Sequence, residues 1–545
     1  MKITVAQINT KIGDVVYNSD IIKKEINTAL EKGSDLIIFP EFAISGTPLY
    51  TMVSEPDFID KCYAALEDIA LGAIDIDVLI GMPTQSGDDY FSSVVHIKKG
   101  IVKSIFSKAM IDAEYEKPYF KGIDSLDYND ESEEIESEIP MNIITVAQKR
   151  LLVVIGEDLD YIEGVEKSLK VDAIVSIASP IYAMGMIEDE YDVLIEAAKA
   201  FKTPIIRCSM VGANSVSYLN FGASCVINIL GEVAYGTKEF CSDVINFELE
   251  STTTHKSANN YLAPRKKAKD NFNAIKMALG DFFTKQSLTK AVVGLSGGID
   301  SAVVLALAVE TLGAENVTAI LMPSDFSSKG SVDDSVKMAE GLKIEYHKLP
   351  ISATFNTMVE SMKPVFKDLP FSIAEENIQA RIRGMMLMAY SNKFGNIVLN
   401  TSNKSECAVG YGTIYGDTNG AISLIGDLYK DEVYELAYYI NTKMGDAIPR
   451  EILEKEPSAE LHPDQKDSDS LPQYEELDSI LRLLLESKSS ILECVSHGFD
   501  VDTVTSVVKL IAGAEHKRYQ LPPVIKLSSH TFGMELKMPL GAKRI

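Results

Sequence analysis

The chain has 545 residues, 46% of them apolar, with 52 Lys and Arg against 79 Asp and Glu, a net charge of −27. That length exceeds one ordinary core and predicts two or three domains, and the acidity argues against non-specific nucleic-acid binding, which needs clustered Lys and Arg. No apolar run reaches the length of about 18 residues that a transmembrane helix needs, and the six scattered cysteines contain no CxxC pair, which argues against a zinc knuckle or a disulfide framework and for a reducing cytoplasm.

Residues 1–250 alternate strand and helix patterns. "KITVAQIN", "DLIIFPEF", "DVLIGMP", "SSVVHIKKG", "LLVVIGEDL", "AIVSIASP", "TPIIRCSM" and "SCVINILGEV" read as strands, and "SDIIKKEINTALEKG" as an amphipathic helix with a glycine stop. The acidic segment 127–140 has neither period and reads as a solvated surface loop. The polar, threonine-rich stretch "ESTTTHKSANNYLAP" reads as a linker, so the boundary falls within 251–265 and the second domain spans 266–545. There "AVVGLSGGIDSAVVLALAVETLG" is strand, glycine turn and helix. "NVTAILMPS" and "KIEYHKLP" follow as strands with helices between, which predicts an α/β domain with a parallel sheet. The tail from Glu515 carries Lys517, Arg518, Lys526, Lys537, Lys543 and Arg544 against Glu515 and Glu535, a local basic patch in an acidic protein.

"GLSGGIDS", residues 294–301, is the most informative stretch. Two glycines between a buried strand and a helix N-terminus let backbone N–H groups approach an anion, and Ser296 and Ser301 add hydroxyl donors. Asp300 inside such a nest would repel phosphate unless a cation lies between them, which points to Mg²⁺ with a polyphosphate. No Gly-Lys-Ser/Thr follows, so this is not a Walker A loop.

SGGxDS resembles the signature of the N-type ATP pyrophosphatases, which cleave ATP between the α- and β-phosphates to adenylylate a substrate. Residues 374–406, "GYGTIYGD", "IGDLYKDEVYELA", "PSAELHPDQKDSDSLPQYEELD" and "EHKRYQLPPVIKLSS" narrow that resemblance to NAD synthetase over about 280 residues. The resemblance implies a Rossmann-like ATP-pyrophosphatase α/β/α domain, with ATP phosphates on Ser296, Gly297, Gly298, Asp300 and Ser301 and with Thr401 at the ATP site. It puts a metal at Asp300 and Glu406, and deamido-NAD at Asn377, Arg381, Glu406, Lys430 and Lys517. ATP, deamido-NAD and ammonia are the implied reactants and Mg²⁺ the implied cofactor. A homo-oligomer built on synthetase dimers is implied as well.

The first 250 residues resemble the nitrilase-like glutaminase that NAD synthetases often carry, a four-layer α/β/β/α sandwich with a Glu–Lys–Cys triad. "IIFPEFAISG" puts Glu41 at the general base, and "FSKAMIDAEYEKPYF" puts Lys108 at the catalytic lysine with Glu116 as a supporting acid. The third element should read Val-Ile-Cys-Glu-Asp. It reads Val154-Ile155-Gly156-Glu157-Asp158, so Gly156 stands where the nucleophile should be. The family's Leu-Pro-Asn-Tyr stretch is absent after Lys108, the lysine expected after "ASP" is missing, and "VGANSVS" replaces Gly-Gly-Gln-Asp-Glu. Glycine offers no thiolate for a thioester, and the nearest other cysteine, Cys208, lies on a different strand. The expectation is an NAD synthetase that works with free ammonia and carries a silent amidase domain, with Glu41 and Lys108 kept as a buried ion pair. The alternatives are a functional glutamine-dependent enzyme, another N-type ATP pyrophosphatase amidotransferase, or a nucleotide-binding pseudoenzyme.

Overall fold

The computed structural model describes residues 1–123, 142–161, 170–253, 257, 261, 264–463 and 465–541, so the acidic segment 127–140 lies outside the described residues. The chain divides into two compact units, Met1–Pro264 and Arg265–Ile545.

The first unit is two six-stranded sheets packed face to face. One runs Asp243–Glu248, Lys2–Gln7, Leu36–Ile38, Asp77–Ser86, Asp89–Lys98 and Ile101–Ser107. The other runs Val233–Gly236, Cys225–Ile227, Ile205–Ser209, Ala173–Ala178, Lys149–Ile155 and Ile143–Val146. Alternate residues explain the stacking. Ile3, Val5, Leu36, Ile38 and Leu79 share one core with Val153, Ile155, Val175, Ile177 and Cys208 of the facing sheet. Their neighbours Ile37, Val78 and Ile80 face the other way, into a core with Ile22, Ile26, Leu66 and Ile69 of the helices Val15–Glu31 and Phe58–Gly72. The helix Met186–Phe201 covers the second sheet. This is the expected α/β/β/α order, and burial on both faces is why the central strands read as unbroken apolar runs.

The first helix begins four residues before the expected Ser19, because Asp14 caps it by accepting from the Tyr17 N–H. The polar stretch after residue 250 also opens with structure: Leu249–Thr253 is a 3₁₀ turn in which Thr252 Oγ1 donates to the Leu249 carbonyl.

The second unit has a five-stranded parallel sheet in the order Glu345–Lys348, Val317–Leu321, Ala291–Gly294, Ile397–Asn400, Ile422–Ser423. The helices Lys267–Lys285, Ile299–Leu312 and Lys430–Met444 pack together on one side, and Ile373–Phe394 lies against Ala291–Gly294 and Ile397–Asn400 on the other. The sheet starts in its middle and the chain winds outward both ways. The switch therefore lies between Ala291–Gly294 and Ile397–Asn400, and in such sheets ligands bind in the crevice at the carboxyl ends of the strands flanking the switch.

Candidate functional site

The two loops that leave the switch strands, 295–298 and 401–403, both border a cavity of about 880 Å³. Ser296, Gly297, Gly298, Asp300, Ser301, Thr401, Glu406 and Lys430 all line it. In the first loop the hydroxyls of Ser296 and Ser301 lie 3.1 Å apart, and the Gly298 N–H donates to Ser296 Oγ at 3.3 Å. Gly298 is the N-cap of the helix Ile299–Leu312, so the positive end of that helix dipole opens into the cavity. Gly297 has φ +83°, and a Cβ there would lie 2.4 Å from the Ser331 carbonyl oxygen. Gly297→Ala should therefore lose the thermal stabilisation that ATP confers and destabilise the unit by about 1–3 kcal/mol, the usual strain of a left-handed residue without glycine; calorimetry with and without ATP measures both.

Asp300, Glu406 and Lys430 come from three helices. Lys430 Nζ lies 2.6 Å from Asp300 Oδ2 and 3.3 Å from Glu406 Oε1. Asn403 Nδ2 donates to Asp300 Oδ1 at 2.9 Å. Glu406 is oriented by a capping box in which the Glu406 N–H donates to Asn403 Oδ1. Burial pushes the Glu406 carboxyl up to about 8, against the opposing pull of Lys430. Burial opposes the charge on Lys430 too, but Asp300 and Glu406 outweigh it and hold its pKa well above the usual lysine range. Two carboxylates thus already face one cationic point beside the phosphate loop. Among the described residues no three His, Cys, Asp or Glu converge as a closed metal cage. Two carboxylates completed by substrate phosphates are a common donor set for Mg²⁺.

The remaining candidates converge elsewhere. Asn377 accepts from Thr413 Oγ1 at 2.5 Å, and Arg381 Nε donates to the Ile414 carbonyl at 3.2 Å. Lys517 Nζ donates to the carbonyls of Gly410 and Gly412 at 2.7 and 2.8 Å. All three therefore hold the loop "GYGTIYGD" rather than line the main cavity, and Lys517 borders a smaller cavity of about 370 Å³. Sequence reasoning did not single out Lys455, whose Nζ lies 3.3 Å from the Gly297 carbonyl and 2.9 Å from Asp334 Oδ2, or Glu460, which accepts from Ser331 Oγ at 2.6 Å. Glu460 lies within the string "PSAELHPDQ", whose side chains the sequence alone does not place, and Lys455 lies two residues before it.

In the first unit Glu41, Lys108 and Gly156 do meet. Glu41 is buried and accepts from Ser92 Oγ at 2.7 Å and Ser179 Oγ at 2.8 Å. Lys108 is 1% exposed, 3.5 Å from Glu41 and 2.9 Å from Glu116, and also pairs with Glu157. Burial raises the Glu116 carboxyl to about 7 against the pull of Lys108. Gly156 ends its strand with φ +55°, and a Cβ there would lie 2.6 Å from both Cε and Nζ of Lys108. Any side chain at this position would therefore have to shift the flexible end of Lys108. Cys208 does not replace it: it is fully buried between the sheets, its Sγ 3.4 Å from the Ile38 carbonyl, and burial raises its pKa far above the usual thiol range. Five of the six cysteines are buried and Cys241 is exposed.

Among the described residues no helix is long and apolar enough to cross a membrane. The sequence models of the carbon-nitrogen hydrolase and NAD synthase families match residues 2–257 and 271–522. The chain is 34% identical to the glutamine-dependent NAD(+) synthetase of Synechocystis sp., covering 99% of this chain and 98% of that one. It is also 34% identical to that of Aquifex aeolicus, covering 100% and 99%. Its fold is similar to that of the glutamine-dependent NAD+ synthetase of Acinetobacter baumannii in complex with ADP, with TM-score 0.76 and 30% identity over 99% of this chain and 98% of that one. A two-sheet sandwich and a doubly wound α/β unit follow one another where the two family models match, and the chain belongs to the glutamine-dependent NAD(+) synthetases.

Proposed function

We propose that this chain forms NAD by ATP-dependent amidation of deamido-NAD with free ammonia as the nitrogen source, and that its amidase unit is catalytically silent. The observation that carries the second half is that Gly156, which has no side chain, stands beside Lys108 and Glu41 where the nucleophile is expected, while Cys208 is buried between the sheets. A thioester needs a sulfur at that point, and the sulfur is lacking.

In the second unit the reaction proceeds in two displacements. An oxygen of the nicotinate carboxylate bonds to the α-phosphorus of ATP while the bond to the β-phosphate breaks and pyrophosphate departs. Ammonia then adds to the acyl carbon, the bond to AMP breaks, and a proton is lost to leave the amide. Ser296, Ser301 and the N-terminus of Ile299–Leu312 hold the phosphates by hydrogen bonds and dipole. Asp300 and Glu406 would hold Mg²⁺, which supplies charge neutralisation for the polyphosphate. Lys430 stands between those carboxylates and is placed to follow the phosphate charge as it shifts. Asn377, Arg381 and Lys517, through the loop 410–417, are assigned to the dinucleotide side.

The test is NAD formation from deamido-NAD and ATP with either ammonium or glutamine. Ammonium should support turnover and glutamine should give at least about 100-fold less, since loss of a covalent nucleophile leaves only the weak assistance of the surrounding groups. Equal rates with the two donors would overturn the ammonia reading and leave the synthetase reading standing.

A further inference from the structure

Arg383 lies two residues beyond Arg381 on the helix Ile373–Phe394, about 200° further round its axis. The two arginines therefore face different ways. Arg381 is exposed and reaches the loop at Ile414, whereas Arg383 lines the 880 Å³ cavity.

The cavity's cations differ in one respect. Lys430 is paired with Asp300 and Glu406, Lys455 with Asp334, and Lys466 with Glu456. Arg383 donates from Nε to the Met322 carbonyl at 3.1 Å and, among the described residues, forms no ion pair. A guanidinium presents five donors in a rigid fork, and its two terminal nitrogens suit the paired oxygens of a phosphate or carboxylate. The carboxylate attractions on Arg383 come only from beyond ion-pair distance, at Asp417 and Glu460, so this half-buried guanidinium can still take an anionic ligand that reaches it directly.

Its neighbours indicate which anion. Leu387, one turn along the same helix, and Met322 both approach Gly294, lying 3.1 and 3.4 Å from where a Cβ on that glycine would stand. Gly294 is the last residue of the strand that feeds the phosphate loop. Leu295, Leu321, Met322, Pro323 and Leu387 give the cavity an apolar lining near Arg383, Asp417 and Glu460 line it too, and Asp300, Glu406 and Lys430 form its charged cluster. A nucleoside triphosphate placed with its base on the apolar wall and its terminal phosphates toward the loop and the charged cluster brings one phosphate, the one attached to the ribose, to the junction where Arg383 stands.

We propose that Arg383 is a catalytic residue of the second unit that holds the non-bridging oxygens of the ATP α-phosphate through its paired terminal nitrogens. This rests on the synthetase reading above. As the carboxylate oxygen bonds to the α-phosphorus and pyrophosphate leaves, Arg383 takes no proton and donates none. It stabilises the charge that builds on the phosphoryl oxygens, and it keeps hold of the same phosphate when AMP becomes the leaving group.

The test compares the wild type with Arg383→Ala, Arg383→Gln and Arg383→Lys in single-turnover release of pyrophosphate, alongside binding of α,β-methylene-ATP. Removing a preorganised donor from a transition state costs about 100- to 1,000-fold in rate, so Arg383→Ala and Arg383→Gln should lose at least about 100-fold in pyrophosphate release. Binding of the analogue should fall less than the rate does. Arg383→Lys should be intermediate, and millimolar guanidinium should partly restore Arg383→Ala, which a merely structural role would not allow. Unchanged pyrophosphate release in Arg383→Ala overturns the proposal, as does a parallel loss of rate and analogue binding without rescue. If Arg383→Ala does not fold, Arg383→Lys decides by the same two readouts. A wild type that forms no NAD from deamido-NAD and ATP would instead overturn the reading of the reaction, a result separable from any effect of the variants.

Discussion

Asp300→Ala is expected to stop pyrophosphate release while the second unit stays folded. Asp300 joins three helices at the cavity: it is in the first turn of Ile299–Leu312, it accepts from Asn403 at the start of the helix that carries Glu406, and it holds Lys430 at 2.6 Å. Its loss removes one of the two carboxylates assigned to the cation and releases the lysine from the loop side. Electrostatic stabilisation of phosphoryl charge is worth several kcal/mol, and about 4 kcal/mol corresponds to roughly 1,000-fold in rate. Turnover should therefore fall by at least about 1,000-fold. The fold should survive because Lys430 keeps Glu406 and the helix Ile299–Leu312 is buried mainly through Val303, Val304, Leu305 and Leu307, which do not depend on Asp300. Asp300→Asn keeps the shape and separates charge from volume. A melting curve matching the wild type, with turnover near normal in both variants, would remove Asp300 from the chemistry.

Much of this arrangement was legible because the informative residues are contiguous. "GLSGGIDS" carries strand end, glycine turn, helix start and carboxylate within eight residues, and the structure places all of them at one wall of one cavity. The central strands were legible for a related reason: Val153, Val154 and Ile155 are buried on both faces, so their apolar run is unbroken. Ile101–Ser107 has neither property. It is an edge strand with none of its seven residues buried, and "IVKSIFS" passes for the tail of the preceding strand. Val211–Ser215 and Tyr218–Phe221 form a separate two-stranded ribbon, and the first of them, "VGANS", is mostly small and polar residues with little strand preference. Asp243–Glu248 pairs antiparallel with Lys2–Gln7 from the far end of the unit, a partnership with no local signature.

The parts of the sites that escaped the sequence reading are those assembled from distant segments. Ser92, on a strand of one sheet, and Ser179, just past the end of a strand of the other, hold Glu41. Arg383 and Arg381 are near neighbours in sequence, yet helical periodicity sends one to the cavity and the other to a loop. The resemblance drew attention to Arg381, and only the helix's placement against Met322 and Leu387 distinguishes its neighbour.

The same distinction between local string and assembled site decides what Lys108 does now. In a working amidase a lysine at this position would be needed for glutamine turnover. Here its ammonium is the only cation in contact with Glu41, Glu116 and Glu157 among the described residues, and the first two are buried. Removing one partner of a buried ion pair costs about 3–5 kcal/mol because the other charge is stranded. Lys108→Met, which keeps most of the volume, should therefore destabilise the first unit by about that amount, tempered as Glu116, already raised to about 7, takes up a proton. Ammonium-driven NAD formation by the variant should persist wherever the protein remains folded. Gly156→Cys approaches the same knot from the other side. Its Cβ must push the end of Lys108 away from its three carboxylates, and the new thiol would still lack the lysine after "ASP" and the Leu-Pro-Asn-Tyr segment. Glutamine turnover should stay near background in that variant, and its melting temperature should fall, since a side chain at a left-handed position such as φ +55° typically costs about 1–2 kcal/mol. Efficient glutamine hydrolysis by Gly156→Cys would show that the site needs only its sulfur, and an unchanged melting temperature in Lys108→Met would show that the lysine is not the counter-ion on which the emptied site depends.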